Sequence, residues 1–302
     1  VEKSGWQALF VIFLCQTKIF HFAVAIGPKI RSLLLPMHIR ALLFDLDDTL
    51  VVDEAVSKEA LTSTAELAAT IHGADAKRFQ RTAAEEARRL WAEGPSHAYC
   101  RAIGISAFEC LWGNFAGDSA EITQLREWAH PFRRQVFDAS LREQLLDHSD
   151  GEEKLAEHFS ATRRKFQRLL PDALEVLVRL KSKYKMGLLT NGAPDLQREK
   201  LAASGLRLYF DAVAVSGEHG IGKPRAEIFE ILLRELGVQA NQAVMIGNSL
   251  ERDIAGARNA GVLPIWIQVA GAEEHADVEP AAIITGLAQL PDLLAKLENE
   301  AQ

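Results

Sequence analysis

Cysteine is scarce in this chain. Cys15, Cys100 and Cys110 are its only three in 302 residues, and no two of them form a Cys-x-x-Cys pair. An odd, widely spaced set argues against both a disulfide framework and a structural zinc site, and reduced thiols in a cytoplasmic protein fit it best. An excess of positive charge is also missing. The net charge of −7 disfavours a broad nucleic-acid surface, and the local basic run Arg163-Arg164-Lys165 is expected on a solvated helix face. Nor is there a hydrophobic run of membrane-spanning length. The apolar stretch ALFVIFLC, residues 8–15, gives way to Gln16, Thr17, Lys18 and His21, which is too short and too broken to cross a bilayer, so no stable membrane insertion is expected. Lys3 before that stretch and Ala23-Val24-Ala25 after it are compatible with a secretory signal or anchor, and an ordered extension is a second alternative. The preferred expectation is that residues 1–36 lie outside the fold, with translation beginning at Met37, just before the first clean strand. Internal repeats and low-complexity tracts are absent.

What is present is an alternation of short apolar strands with helices. The strand candidates are 40–44, 185–189, 212–215, 243–247, 263–268 and 282–285. Their unbroken apolar character suits strands buried on both faces of a parallel sheet. Between them Asp172 is expected to cap a helix with Glu175 three residues on, and Leu174, Leu177 and Val178 to form its inward stripe. Pro194 suits a first helical turn, and Ile228, Ile231, Leu232 and Leu236 share one face of a helix ended by Gly237. Residues 54–165 differ: they are rich in Ala, Glu, Arg and Leu, with amphipathic helical stretches interrupted at 95–118 by an aromatic, irregular segment. The expected architecture is α/β: a parallel core from 37–53 and 166–302, with an all-α unit, 54–165, inserted after the first strand.

In such sheets ligands sit beyond the carboxyl ends of the strands. Four strand ends carry polar signals: Asp45-Leu46-Asp47-Asp48-Thr49, then Thr190-Asn191-Gly192, then Lys223-Pro224 just after the third strand, then Gly247-Asn248 with Asp253 one helical turn on. Crowding Asp45, Asp47 and Asp48 into four positions is costly unless positive charge sits among them. Each signal alone is weak, but their order and placement make the set specific. It resembles the haloacid dehalogenase superfamily, over roughly residues 37–302, and the helical insert is similar to that of members with an α-helical cap on a Rossmann-like core.

The resemblance implies a Mg2+-dependent enzyme of phosphoryl transfer, most often a phosphatase of small phosphorylated metabolites. Asp45 would be the nucleophile and Asp47 the general acid and base. Mg2+ would bind Asp45, the main-chain carbonyl of Asp47, Asn248 and Asp253, and with Lys223 it would offset the crowded carboxylates. Thr190, Asn191 and Gly192 would hold phosphate oxygens, Lys223 would neutralise charge on the transferring group, and Thr49 would steady Asp47. Pro224 keeps Lys223 out of helical geometry. Asp48 is expected to be solvated or to cap the loop. The family's phosphatases usually have Asp where this chain has Asn248, so a weaker metal site is expected, with Glu251 nearby. In the cap, Arg101, Tyr99 and Trp112 are the candidates for substrate specificity. The alternatives are a dehalogenase, which would lack a carboxylate two residues after the nucleophile, a phosphomutase, a phosphonate hydrolase using Lys58 or Lys77, and a non-catalytic protein that binds a phospho-ligand. No motif speaks to oligomeric state.

Overall fold

The computed structural model describes residues 38–146, 151–268 and 278–300. The readings of residues 1–36, Met37 and Cys15 lie outside the described residues. Strands β1 (Ala41–Phe44), β2 (Lys185–Thr190), β3 (Ala212–Val215), β4 (Ala243–Gly247), β5 (Leu263–Ile267) and β6 (Ala282–Ile284) form one parallel sheet in the order β3-β2-β1-β4-β5-β6. Ala41 pairs with Lys185 on one side and with Ala243 on the other. Strand order therefore reverses at β1, and a crevice opens beyond the carboxyl ends of β1 and β4.

Alternation along each strand feeds two cores. Leu42, Phe44, Met186, Leu188, Val244 and Ile246 point to one face, against helices α7 (Ala173–Lys181) and α12 (Leu290–Glu300). Ala41, Leu43, Leu189 and Met245 point to the other, against Ile228, Phe229 and Leu232 of α10 (Ala226–Leu236). Burial on both faces is why these strands read as continuous apolar runs. Two helix readings need correction. Asp172 precedes α7 with a left-handed backbone and makes no side-chain cap. The inward stripe of α7 is Ala173, Val176, Leu177 and Leu180, whereas Leu174 and Val178 are exposed. That helix is apolar on more than one face, so periodicity alone did not choose the buried one.

Between β1 and β2 lies the all-α cap: α1 (Glu54–His72), α2 (Ala76–Glu93), the short α3 (His97–Ile103) and α4 (Ala107–Cys110), α5 (Ala120–Arg142) and α6 (Gly151–Lys165). It has its own core, in which Phe79 stacks on Phe137 at 6.1 Å and Trp112 and Phe115 are fully buried. Ala193 and Leu196, at the start of α8 (Pro194–Ala203), join this cap core. Cap and sheet thus meet at α8, above the strand ends. Cys100 and Cys110 are free and buried in the cap. Among the described residues no helix is long and apolar enough to cross a membrane.

Candidate active site

The turn after β1 decides where its carboxylates go. The Asp45 amide still donates to the Ile246 carbonyl at 3.0 Å, extending the ladder to β4 by one step. The chain then coils back, with the amides of Leu50 and Val51 both reaching the Leu46 carbonyl and Asp48 in a left-handed conformation. The Asp48 carboxylate accepts from the amides of Asp53 (2.9 Å) and Glu54 (3.2 Å) and so caps α1, as its place in the loop suggested. Asp45 and Asp47 both face the crevice.

Two buried lysines divide the carboxylates between them. Lys223 lies 2.5 Å from Asp45 Oδ1 and 2.7 Å from Asp253 Oδ1. Its main chain is clamped by Asn191, which accepts from the Lys223 amide at 2.9 Å and donates to its carbonyl at 3.0 Å, next to a cis Lys223–Pro224 peptide. Burial alone would lower the pKa of Lys223, but Asp253 and Asp45 outweigh it and hold the ammonium charged. Burial raises the pKa of Asp253, and Lys223 opposes the shift. Thr49 donates to Asp45 Oδ2 at 3.3 Å and lies 3.5 Å from Asn248 Oδ1. It therefore steadies Asp45 rather than Asp47, because the coiled turn brings residue 49 back beside residue 45.

Lys200, on α8, is the second. Its ammonium is 2.9 Å from both oxygens of Asp47, 2.8 Å from Asp53 Oδ1 and 3.0 Å from Glu109 Oε1. Arg163 binds the same Asp53 oxygen and donates to Ser57 Oγ at 3.0 Å. The Trp112 ring underlies Arg163, Arg164 and Lys200 at 4.7, 5.1 and 5.7 Å. Burial, and then the charges of Asp53, Glu109 and Asp45, push Asp47 up to about 8 against the pull of Lys200. Burial opposes the ionised form of Asp53, but Lys200 and Arg163 more than offset it, and that carboxyl is held below its usual range.

Several expected placements do not hold. The Thr190 hydroxyl is buried and donates to Gln197 Oε1 at 3.1 Å, and the Gly192 amide donates to Ser216 Oγ at 2.9 Å. Neither lines the crevice, whereas Asn191 does. Both are taken up in joining β2 to α8 and to the segment after β3. Gly192 (φ 143°) is needed there because a Cβ would lie 2.4 Å from Gln197. Arg101 is exposed, Tyr99 packs half-buried against the cap core and Trp112 lies within that core, so none of the three lines the crevice. The cap residues that do are Gly104, Ser106 and Glu109, from the α3–α4 turn and α4. Gly104 (φ 83°) comes so close to the core that a Cβ would meet Asn191 at 2.7 Å. Arg163, expected on a solvated face, is 1% exposed, because α6 turns it inward onto Asp53 and Trp112. Glu251 is exposed and outside the crevice.

The crevice has a volume of about 120 Å³ and is lined by Asp45, Asp47, Asn191, Lys223, Asn248, Arg252 and Asp253 together with the three cap residues. Among the described residues no three His, Cys, Asp or Glu side chains cluster as a ready-made metal site. The oxygens that converge here are mixed: the carboxylates of Asp45 and Asp253 and the amide of Asn248. Asp253 Oδ1 is buried and accepts no well-aligned hydrogen bond. An all-oxygen set of this kind fits a hard divalent cation and offers nothing to a soft one.

A family model, described as haloacid dehalogenase-like hydrolase, matches residues 39–261. The chain belongs to the haloacid dehalogenase-like hydrolases. It is 38% identical over 242 residues to a phosphoserine phosphatase from Thermus thermophilus, covering 80% of this chain and 93% of that one. Among solved structures it resembles a 2-haloacid dehalogenase from Pseudomonas syringae pv. Tomato (27% identity, TM-score 0.53, 85% of this chain and 99% of that one). It also resembles a HAD phosphatase from Thermococcus onnurineus (25% identity, TM-score 0.53, 85% and 98%). Sequence reasoning about this hydrolase passed over Asp53, Glu109, Gln197 and Lys200, which surround Asp47. Lys200 sits in Gln-Arg-Glu-Lys-Leu, locally indistinguishable from an exposed helical lysine, and no signal along the chain marks it.

Proposed function

We propose that the protein is a Mg2+-dependent phosphatase of small phosphomonoesters that works through an aspartyl-phosphate on Asp45. One observation carries the reading: Asp45 and Asp47 face one small crevice, the first paired with Lys223 at 2.5 Å and the second pushed up to about 8. A carboxyl that holds its proton near neutral pH is suited to protonate a leaving alcohol. A dehalogenase has no alkoxide to protonate and no use for it. The likeness to a 2-haloacid dehalogenase speaks to shared fold, whereas 38% identity to a phosphoserine phosphatase along most of both chains supports the phosphatase.

An oxygen of Asp45 attacks phosphorus, the bond from phosphorus to the ester oxygen breaks, and Asp47 gives its proton to the departing alcohol. Asp47, now ionised, takes a proton from a water that attacks the same phosphorus. The bond to Asp45 breaks and inorganic phosphate leaves. Lys223 stabilises charge on the transferring group and holds Asp45 in line, and Asn191 fixes the Lys223 main chain from both sides. Thr49 holds the second oxygen of Asp45. Asp45, the Asp47 carbonyl, Asn248 and Asp253 would hold the divalent cation, which when bound draws the phosphate dianion and the carboxylate together. The small crevice and the close approach of Gly104 to Asn191 favour a small metabolite and exclude bulk water.

The test is phosphate release by purified protein from a panel of phosphomonoesters, O-phosphoserine included, with and without Mg2+. Turnover that Asp45→Asn abolishes, together with a labelled phosphoryl group or beryllium fluoride trapped on Asp45, is the expected result. A wild type inert across the panel leaves a binding protein as the better reading.

A further inference from the structure

Lys200 has no part in the chemistry just described, yet it touches Asp47 more fully than any other side chain does. Its ammonium meets both Asp47 oxygens, one oxygen of Asp53 and one of Glu109, with the Trp112 ring beneath it and 1% of the residue exposed. Gln197, one helical turn earlier on α8, repeats the pattern. Its amide oxygen accepts from Thr190, so its NH2 group faces the carboxylates and donates to Asp47 Oδ2 at 3.2 Å and to Glu109 Oε1 at 3.1 Å. The same two donors therefore serve one carboxylate from the catalytic loop and one from the cap.

Glu109 is fixed at its other end. Its Oε2 accepts from the Ser106 amide at 2.8 Å while the Ser106 hydroxyl accepts from the Glu109 amide, a capping box that sets the start of α4. Ser106 and Gly104 line the crevice. Glu109 joins Asp47 on Lys200 and Gln197. It is thus the cap's share of the network around Asp47, beside the Asp53 carboxylate that also meets Lys200.

We infer that Lys200 is a positioning residue for Asp47, and that through Lys200 and Gln197 the cap carboxylate Glu109 helps to hold Asp47 in place for its proton transfer. The inference rests on the phosphatase reading and concerns the same site. Asp47's proton goes to the ester oxygen as the bond from phosphorus to oxygen breaks. A misplaced acid therefore harms esters whose leaving group needs that proton and spares those whose leaving group departs as a stable anion.

The experiment compares kcat/KM for the alkyl phosphomonoester turned over fastest by the wild type with kcat/KM for p-nitrophenyl phosphate, in Lys200→Met and Glu109→Gln, with Tm recorded for each. Lys200→Met is expected to lose about 100-fold on the alkyl ester and less than about 5-fold on the aryl ester. Glu109→Gln is expected to show the same selectivity at about 10-fold. It removes a charge but keeps an acceptor, so it decides the matter if Lys200→Met does not fold. Equal losses on both esters, or none on either, overturn the inference while leaving the phosphatase reading intact. A wild type that hydrolyses no alkyl ester overturns the phosphatase reading, and the inference with it.

Discussion

Lys223 and Lys200 are both buried among carboxylates, but their surroundings differ in what they leave open. Lys223 shares two carboxylates, Asp45 and Asp253, and opens onto a crevice that also presents Asn248 and Arg252. Lys223 and those two carboxylates by themselves carry one excess negative charge, at the place where a cation and a phosphate would enter. Lys200 and Arg163 share three carboxylates, Asp47, Asp53 and Glu109, over the face of Trp112. A proton on Asp47 leaves that set neutral. The two sets show how neighbouring aspartates on one crevice acquire different surroundings: environment, rather than residue type, pairs one carboxylate with a lysine beside Asp253 and ties the other into a network shared with the cap.

The sharpest way to break the comparison is to remove the partners of the first set, Asp45 and Lys223. Asp45→Asn is expected to lower phosphate release by about 10⁴-fold or more, because no covalent intermediate can form. Lys223→Met should follow, with a loss of about 10²–10³-fold in kcat, read on the same assay. The third difference is in stability. Lys200→Met removes the ammonium that Asp47, Asp53 and Glu109 share, leaving only Arg163 on Asp53, and should cost about 3–5 kcal/mol by urea unfolding. Added Mg2+ should raise the Tm of Lys223→Met more than that of Lys200→Met, because only the first leaves Asp45 and Asp253 without their shared ammonium. Equal rescue of both would mean the two sets are not distinct.

The next effect is smaller. Asp47 must carry its proton to act first as an acid, and its pKa is raised to about 8. Its protonated form is therefore present below that pH and is lost as pH rises through it. On an alkyl ester kcat/KM should fall about tenfold between pH 7 and pH 9, with a flatter profile on p-nitrophenyl phosphate. Last, Asn248→Asp adds a charged oxygen beside Asp45 and Asp253 and should lower the Mg2+ concentration at half-maximal activity by roughly threefold to fivefold.

Much of the fold was legible because burial on both faces leaves a plain signature: short unbroken apolar runs, with polar residues at their carboxyl ends. The meeting of Asp45 and Asp253 on Lys223 was legible too, since each follows the carboxyl end of a strand and the parallel order brings those ends together. The stripe of α7 was not, because Leu174 and Val178 are as apolar as the residues that face the core. Thr190 and Gly192 were misread because their place beside a strand end says nothing about which partner takes their hydrogen bonds. Arg101 and Tyr99 were misread because a cap's inward side depends on how its helices pack, and the turn from Gly104 to Glu109 reaches the crevice instead.

Sequence alone determined the sheet, the inserted helices and the four polar strand ends, because apolar periodicity and chain order are local properties that read directly along the chain. Only the tertiary structure decided which lysine serves which aspartate, and that Arg163 and Lys200 are buried rather than solvated. Lysines and arginines look alike along a helix whichever way it turns. The charges that keep them buried, Asp47, Asp53 and Glu109, come from segments up to 153 residues distant in the chain.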